Sequence, residues 1–315
     1  MKKQAIIILA AALSLMAGCG AKTAGETQTQ AAPVQGPASE TSAQGPASKA
    51  PVQGPASKAP GPEAKAEIGT AESEENKAPM QWEPEEILVA AAASLKNAYE
   101  EQLIPMFQED HPDITVRGTY DSSGKLQTQI EEGLEADVFM SAAVKQMKAL
   151  DEKGMIATET ITSLLENKIV MIVPAGSESG FAEFGDIAKA ETIALGDPAS
   201  VPAGQYAQEA LISFGIWEEI QPKVSFGTNV TEVLNQVAAA SADAGIVYAT
   251  DAAGMEDSVC VVADAPEGSL NEKVIYPVAV VKESSHPESA KAFLEFLKTP
   301  EAMEVFRSYG FSAAE

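Results

Sequence analysis

From Glu85 to the C-terminus, short apolar runs alternate with segments of helical spacing, and that alternation constrains the fold more than any other feature. Ile87–Ala98, ILVAAAASLKNA, sets the pattern. Ile87, Leu88 and Val89 read as a buried strand, Ala90–Ala93 leave the backbone open to close approach, and Ser94 reads as the N-cap of a helix. Leu95, Ala98, Tyr99, Gln102, Leu103 and Phe107 then carry a mostly helical apolar spacing. Ile114–Tyr120 repeats the design, with the turn Asp121-Ser122-Ser123-Gly124 leading into a helix from Lys125. Val138–Met140, Lys168–Val173, Thr192–Leu195, Lys223–Phe226, Ala244–Ala249, Val259–Ala263 and Val274–Val281 read as further strands. Val144–Leu150, Gln205–Phe214, a segment from Val230, Pro287–Lys298 and Pro300–Tyr309 read as helices. Strands alternating with helices predict α/β architecture with mostly parallel sheets. The helix after Asn229 is the best marked. Val230, Val233, Leu234, Val237 and Ala238 share one face, and Glu232 stands three residues after Asn229 as in a capping box.

The first 84 residues have a different character. Lys2 and Lys3, the apolar run Ala5–Met16 and the ending Ala17-Gly18-Cys19 form a targeting segment, residues 1–19, too short for a comfortable membrane span. Its LMAGC ending resembles a bacterial lipobox, which would make Cys19 the lipidated mature N-terminus; Met16 stands where Leu, Val or Ile is usual. Residues 20–84 are rich in Pro, Gly, Ala, Ser and Gln, with QGPAS repeated from Gln35, Gln44 and Gln53. Such a segment cannot bury enough apolar surface to fold and reads as a disordered tether. The other cysteine, Cys260, lies in an apolar run and reads as a buried structural thiol.

The formal net charge of −25 argues against a nucleic-acid groove or a basic membrane patch. Catalytic patterns are missing as well. The two histidines, His111 and His286, each precede a proline and read as loop residues. No zinc-type His/Cys spacing, G-x-S-x-G or H-E-x-x-H occurs. Ser122–Lys125 invites a phosphate-loop reading, but Thr119 replaces the first glycine and Leu126 follows the lysine. Glu131-Glu132 and Glu218-Glu219 read as solvated helix ends. The chain reads as a binder and not as an enzyme.

Six motifs then occur in order: AAASL (Ala91–Leu95), SSGKL (Ser122–Leu126), ADVFMSA (Ala136–Ala142), GDPASVPAGQYAQEAL (Gly196–Leu211), GIVYATDA (Gly245–Ala252) and YPVAVV (Tyr276–Val281). Together they resemble the molybdate-binding proteins of bacterial ABC importers, which are class II substrate-binding proteins. The resemblance implies a two-lobe periplasmic-binding-protein fold of parallel-rich sheets flanked by helices, with two hinge crossings near Val170–Pro174 and Tyr276–Val281. Lobe one would comprise residues 85–169 and 277–315, and lobe two residues 170–276. It further implies an extracytoplasmic monomer, lipid-anchored at the membrane or periplasmic. Its ligand would be molybdate or tungstate, its partner a membrane permease, and no separate cofactor or metal cation would be needed. A sulfate or other tetrahedral-oxyanion receptor on the same scaffold is the alternative; a hydrolase using Ser94 or Ser123 is a third reading, without a histidine partner in the motifs.

Carried over residue by residue, the resemblance places oxyanion contacts at Ser94, at Ser123, at the backbone N–H groups of Ala203 and Val230, and at the Tyr248 hydroxyl. Gly124 stands where some relatives have serine. The residues support this placement, because Ser94, Ser123, Ala203 and Val230 each fall where the spacing predicts the start of a helix. The first N–H groups of a helix lack intrahelical partners, and its dipole puts roughly half a positive charge there. A dianion can therefore be held without lysine or arginine, which reconciles anion binding with a strongly acidic chain.

Overall fold

The computed structural model describes residues 84–315. The expected targeting segment with Cys19, and all but the last residue of the expected tether, lie outside the described residues. In chain order the strands are β1 (Glu85–Ala92), β2 (Ile114–Asp121), β3 (Val138–Met140), β4 (Thr162–Asn167), β5 (Ile169–Pro174), β6 (Ile193–Gly196), β7 (Val224–Gly227), β8 (Ala244–Tyr248), β9 (Val259–Asp264), β10 (Val274–Val280) and β11 (Ser312–Ala313). They form two sheets flanked by helices. A six-stranded sheet has the order β11-β4-β10-β3-β1-β2, and a five-stranded sheet the order β7-β6-β8-β5-β9.

β1 sits inside the first sheet, parallel to both β2 and β3, and Ile87, Val89, Ala90 and Ala91 are fully buried. A strand covered on both faces needs a continuous apolar run rather than alternation, which its sequence supplies. β6 plays the same part in the second sheet, parallel to β7 and β8. The sheets are mixed rather than mostly parallel. β10 runs antiparallel to β3 and β4, and β5 antiparallel to β8 and β9. These antiparallel strands are the ones next to the passages between sheets, where the chain enters each sheet against the direction of its parallel strands.

The outward passage is Lys168, the single residue between β4 in the first sheet and β5 in the second. The return runs through residues 265–273, between β9 and β10. Val170–Pro174 and Tyr276–Val280 are therefore strands within single sheets, not the crossings themselves, and Val274–Tyr276 pair with β4 in the first sheet. Lobe one is built on the first sheet and lobe two on the second. Side chains tie the crossing together. Asn167 Nδ2 donates to Thr250 Oγ1 at 2.9 Å and to the Tyr276 hydroxyl at 3.2 Å, and the Ala249 N–H donates to the Lys168 carbonyl at 2.9 Å.

Cys260 is half-buried rather than fully buried, lying in β9, the edge strand of the second sheet. His111 follows the helix Ile104–Asp110 and stacks on Phe107 at 4.4 Å, and His286 is the N-cap of Pro287–Leu297. Among the described residues no helix is long and apolar enough to cross a membrane.

Candidate functional site

The ends of the inner strands deliver the chain to one cavity between the lobes. It is a narrow space that the two lobes nearly close. Ala92, Ala93, Ser94, Asp121, Ser122, Ser123 and Ala142 line it from lobe one, and Val201, Pro202, Ala203, Val230 and Tyr248 from lobe two. All five residues singled out from the sequence are thus brought together.

Each arrives by a strand-to-helix junction, with one difference from expectation. Ser94 is not an N-cap. Ala92 takes that role, and Ser94 is the second residue of a 3-10 turn, Ala93–Leu95, that leads through Lys96–Ala98 and a wider π-type turn into Ile104–Asp110. Small alanines let the turn tighten at the cavity wall. The Ser94 hydroxyl is paired with that of Tyr276 at 3.0 Å.

Ser123 opens the helix Ser123–Glu131 and is fully buried; its Oγ accepts the N–H of Ala142 at 2.9 Å, so its own hydrogen remains to be donated. Ala203 is the second residue of the helix Pro202–Ser213, whose first position is proline, the residue that gives up an N–H needed by no intrahelical bond. Gly204 lets this helix sit on β6, since a Cβ there would stand 2.0 Å from the Gly196 carbonyl oxygen. A Cβ on Gly196 would in turn stand 2.5 Å from Val201 Cγ1, so both glycines of the GDP…VPAG motif serve this close approach.

Val230 begins the helix Val230–Ala238, capped by Asn229, whose Oδ1 accepts the Glu232 N–H at 2.9 Å. The Glu232 carboxylate reaches back to the Thr228 N–H at 2.7 Å, one residue earlier than a strict capping box, and that bond chiefly holds its pKa below the ordinary value. Tyr248 ends β8, is buried, and donates its hydroxyl to the Ala142 carbonyl at 3.3 Å, from lobe two to lobe one. Burial, then neighbouring Tyr276, pushes the Tyr248 phenol well above its usual range, so it remains a protonated donor.

Two polar lining residues were not foreseen from the sequence. Asp121 is the one charged side chain among those lining the cavity. Its Oδ1 accepts the Ser122 N–H at 2.7 Å, Lys125 Nζ at 3.2 Å and, across the lobes, Asn229 Nδ2 at 3.3 Å. A carboxylate beside an anion site is adverse unless its charge is engaged, and these three donors engage it. Ser122 is the other. The doubled serine signalled a turn, but only the fold decides which hydroxyl faces inward. Neither Ser94 nor Ser123 has a histidine beside its oxygen: His111 lies on Phe107, and His286 Nδ1 is 3.6 Å from a Glu85 carboxylate oxygen. The cavity thus presents hydroxyl and amide donors from both lobes, the chemistry of binding a small anion.

The family model for bacterial extracellular solute-binding proteins matches residues 87–312. A Bacillus subtilis chain provisionally named an ABC transporter substrate-binding lipoprotein is 40% identical over 227 residues, covering 72% of this chain and 86% of its own. The molybdate-binding protein ModA of Haemophilus influenzae is 39% identical over 235 residues, covering 72% and 90%. Among solved structures, a substrate-binding domain provisionally assigned to a molybdenum ABC transporter of Clostridium difficile is 35% identical, with a TM-score of 0.58 over 73% of this chain and 99% of that one.

Proposed function

The chain belongs to the bacterial extracellular solute-binding protein family, and from that footing we propose that it is a receptor for molybdate, accepting tungstate as well, that delivers the oxyanion to the permease of an ABC importer. One observation carries the reading: Ser94 and Ser123 of lobe one meet Ala203, Val230 and Tyr248 of lobe two around a single cavity. A tetrahedral dianion bound there is held by the Ser94, Ser123 and Tyr248 hydroxyls, the Tyr248 hydrogen turning from the Ala142 carbonyl to a ligand oxygen, and by N–H groups at the helix starts. Because the donors come from both lobes, the ligand favours the state in which the lobes meet, which couples binding to closure. The relatives named for molybdate support the choice of ligand. The lipobox-like ending at Cys19 and the Pro/Gly-rich residues 20–84 support a tethered, extracytoplasmic protein.

Calorimetry with molybdate, tungstate, sulfate and phosphate tests it. Molybdate and tungstate are expected to bind tightly at one site, sulfate more weakly and phosphate least. Tight sulfate binding without heat from molybdate would overturn the reading in favour of a sulfate receptor.

A further inference from the structure

We propose that the Ser122 hydroxyl is an additional oxyanion-binding group of this site, a role that rests on the function proposed above. Ser122 is 4% exposed, lines the cavity, and its Oγ has no hydrogen-bond partner among the protein's atoms. A buried hydroxyl left unpaired is costly, so a site that keeps one has a use for it.

Its position explains why it is unpaired. Ser122 is the N-cap of Ser123–Glu131, with φ −61° and ψ 142°, yet its side chain makes no capping bond. An N-cap serine ordinarily accepts the N–H of the second or third helical residue. Here the second, Gly124, gives its N–H across the lobes to the Ser200 carbonyl at 2.9 Å. The backbone of Ser122 is meanwhile committed on both sides: its N–H goes to Asp121 Oδ1 at 2.7 Å, and its carbonyl accepts the Leu126 N–H at 3.1 Å. The hydroxyl is therefore held against the cavity by a fixed backbone and is not claimed by the helix. Neighbouring Ser123 differs, since its oxygen already accepts the Ala142 N–H. In a bound oxyanion, the Ser122 O–H donates to a ligand oxygen and is paired at last.

The test is calorimetry with sodium molybdate on the full chain, comparing the native protein with Ser122→Ala and Ser122→Gly, together with ligand-free melting curves. Losing one hydrogen bond to a charged ligand should raise Kd roughly 10- to 100-fold in both variants. Ligand-free Tm should stay unchanged in both, since no capping bond is lost. Native affinity in both variants would overturn the assignment while leaving the molybdate reading intact. Loss of Tm and affinity in Ser122→Ala, both restored in Ser122→Gly, would identify a capping role instead and also overturn it, because glycine is tolerated at an N-cap. Absence of molybdate binding by the native protein would overturn the molybdate reading and this assignment with it.

Discussion

The Gly124 N–H donates to the Ser200 carbonyl oxygen at 2.9 Å, from lobe one to lobe two, and a Cβ built on Gly124 would stand 2.3 Å from that same oxygen. The obstacle is backbone, so it cannot swing aside as a side chain could. Meeting of the lobes at the cavity rim thus depends on a position without a side chain. Gly124→Ala is expected to leave each lobe folded and to weaken molybdate at least ~10-fold, because the state in which all donors converge becomes strained. Calorimetry measures this, with circular dichroism as the control for folding. Native affinity in the variant would mean that binding does not need this approach.

Tyr248→Phe removes the hydroxyl from a buried ring while keeping its packing on Tyr276, whose centroid is 5.5 Å away. The expected loss of molybdate binding is about 1–3 kcal/mol, the scale of a hydrogen bond to a charged group. Because burial keeps the phenol protonated well beyond the ordinary tyrosine range, this hydroxyl should also donate undiminished as pH approaches about 10. A titration of affinity against pH checks the second point; a fall that is absent in Tyr248→Phe would contradict it.

The Asn229–Asp121 contact gives a coupled prediction. Asn229→Asp preserves the oxygen that caps Val230–Ala238 but replaces the Nδ2 donor, which lies 3.3 Å from Asp121, with a second carboxylate oxygen. Ligand-free stability should change little, while molybdate affinity falls as two like charges face each other where the lobes meet. Adding Asp121→Asn should recover part of that loss, with a coupling of about 1 kcal/mol or more in a double-mutant cycle. Additive effects would show that the two side chains do not act on each other during binding.

Asp251 is half-buried as a residue, but its Oδ2 is buried and has no partner. Burial pushes its carboxyl up from 3.8 to about 7. A carboxyl that holds its proton more tightly when folded favours the fold most below 3.8. Its contribution erodes as pH rises to about 7 and is flat above. Asp251→Asn should therefore remove a downward slope of stability across that window. Melting curves of variant and native protein, compared between those two pH values, measure it; parallel curves would contradict it.

Much of the lobe architecture is legible in the sequence because its inner strands, such as Val170–Val173 and Ile246–Val247, are buried on both faces and had to be apolar throughout. The junctions at Ser123, Ala203 and Val230 were legible for a local reason too, because turn residues, proline and caps act over a few positions, although the helices begin at Ser123 and Pro202 rather than at Lys125 and Gln205. What escaped was set at long range. β4, Thr162–Asn167, carries Leu-Leu-Glu-Asn and no β-branched run, and becomes a strand by pairing with β10 and β11 far along the chain. The displaced return crossing has the same origin, since Val274–Tyr276 look alike in either sheet until pairing decides. Ser94 lost its expected capping role because the alanines before it tighten into a 3-10 turn. Asp121 and Ser122 could be assigned to the cavity only after the second lobe was seen opposite them.

Diffraction at the molybdenum absorption edge, from crystals of the protein saturated with molybdate, locates the bound metal atom without reference to any variant. The predicted result is one anomalous peak in the cavity between Ser94, Ser123, Ala203, Val230 and Tyr248, with ligand oxygens about 2.7–3.2 Å from their hydroxyl and amide donors. A peak elsewhere on the molecule, or none in that cavity, would contradict it.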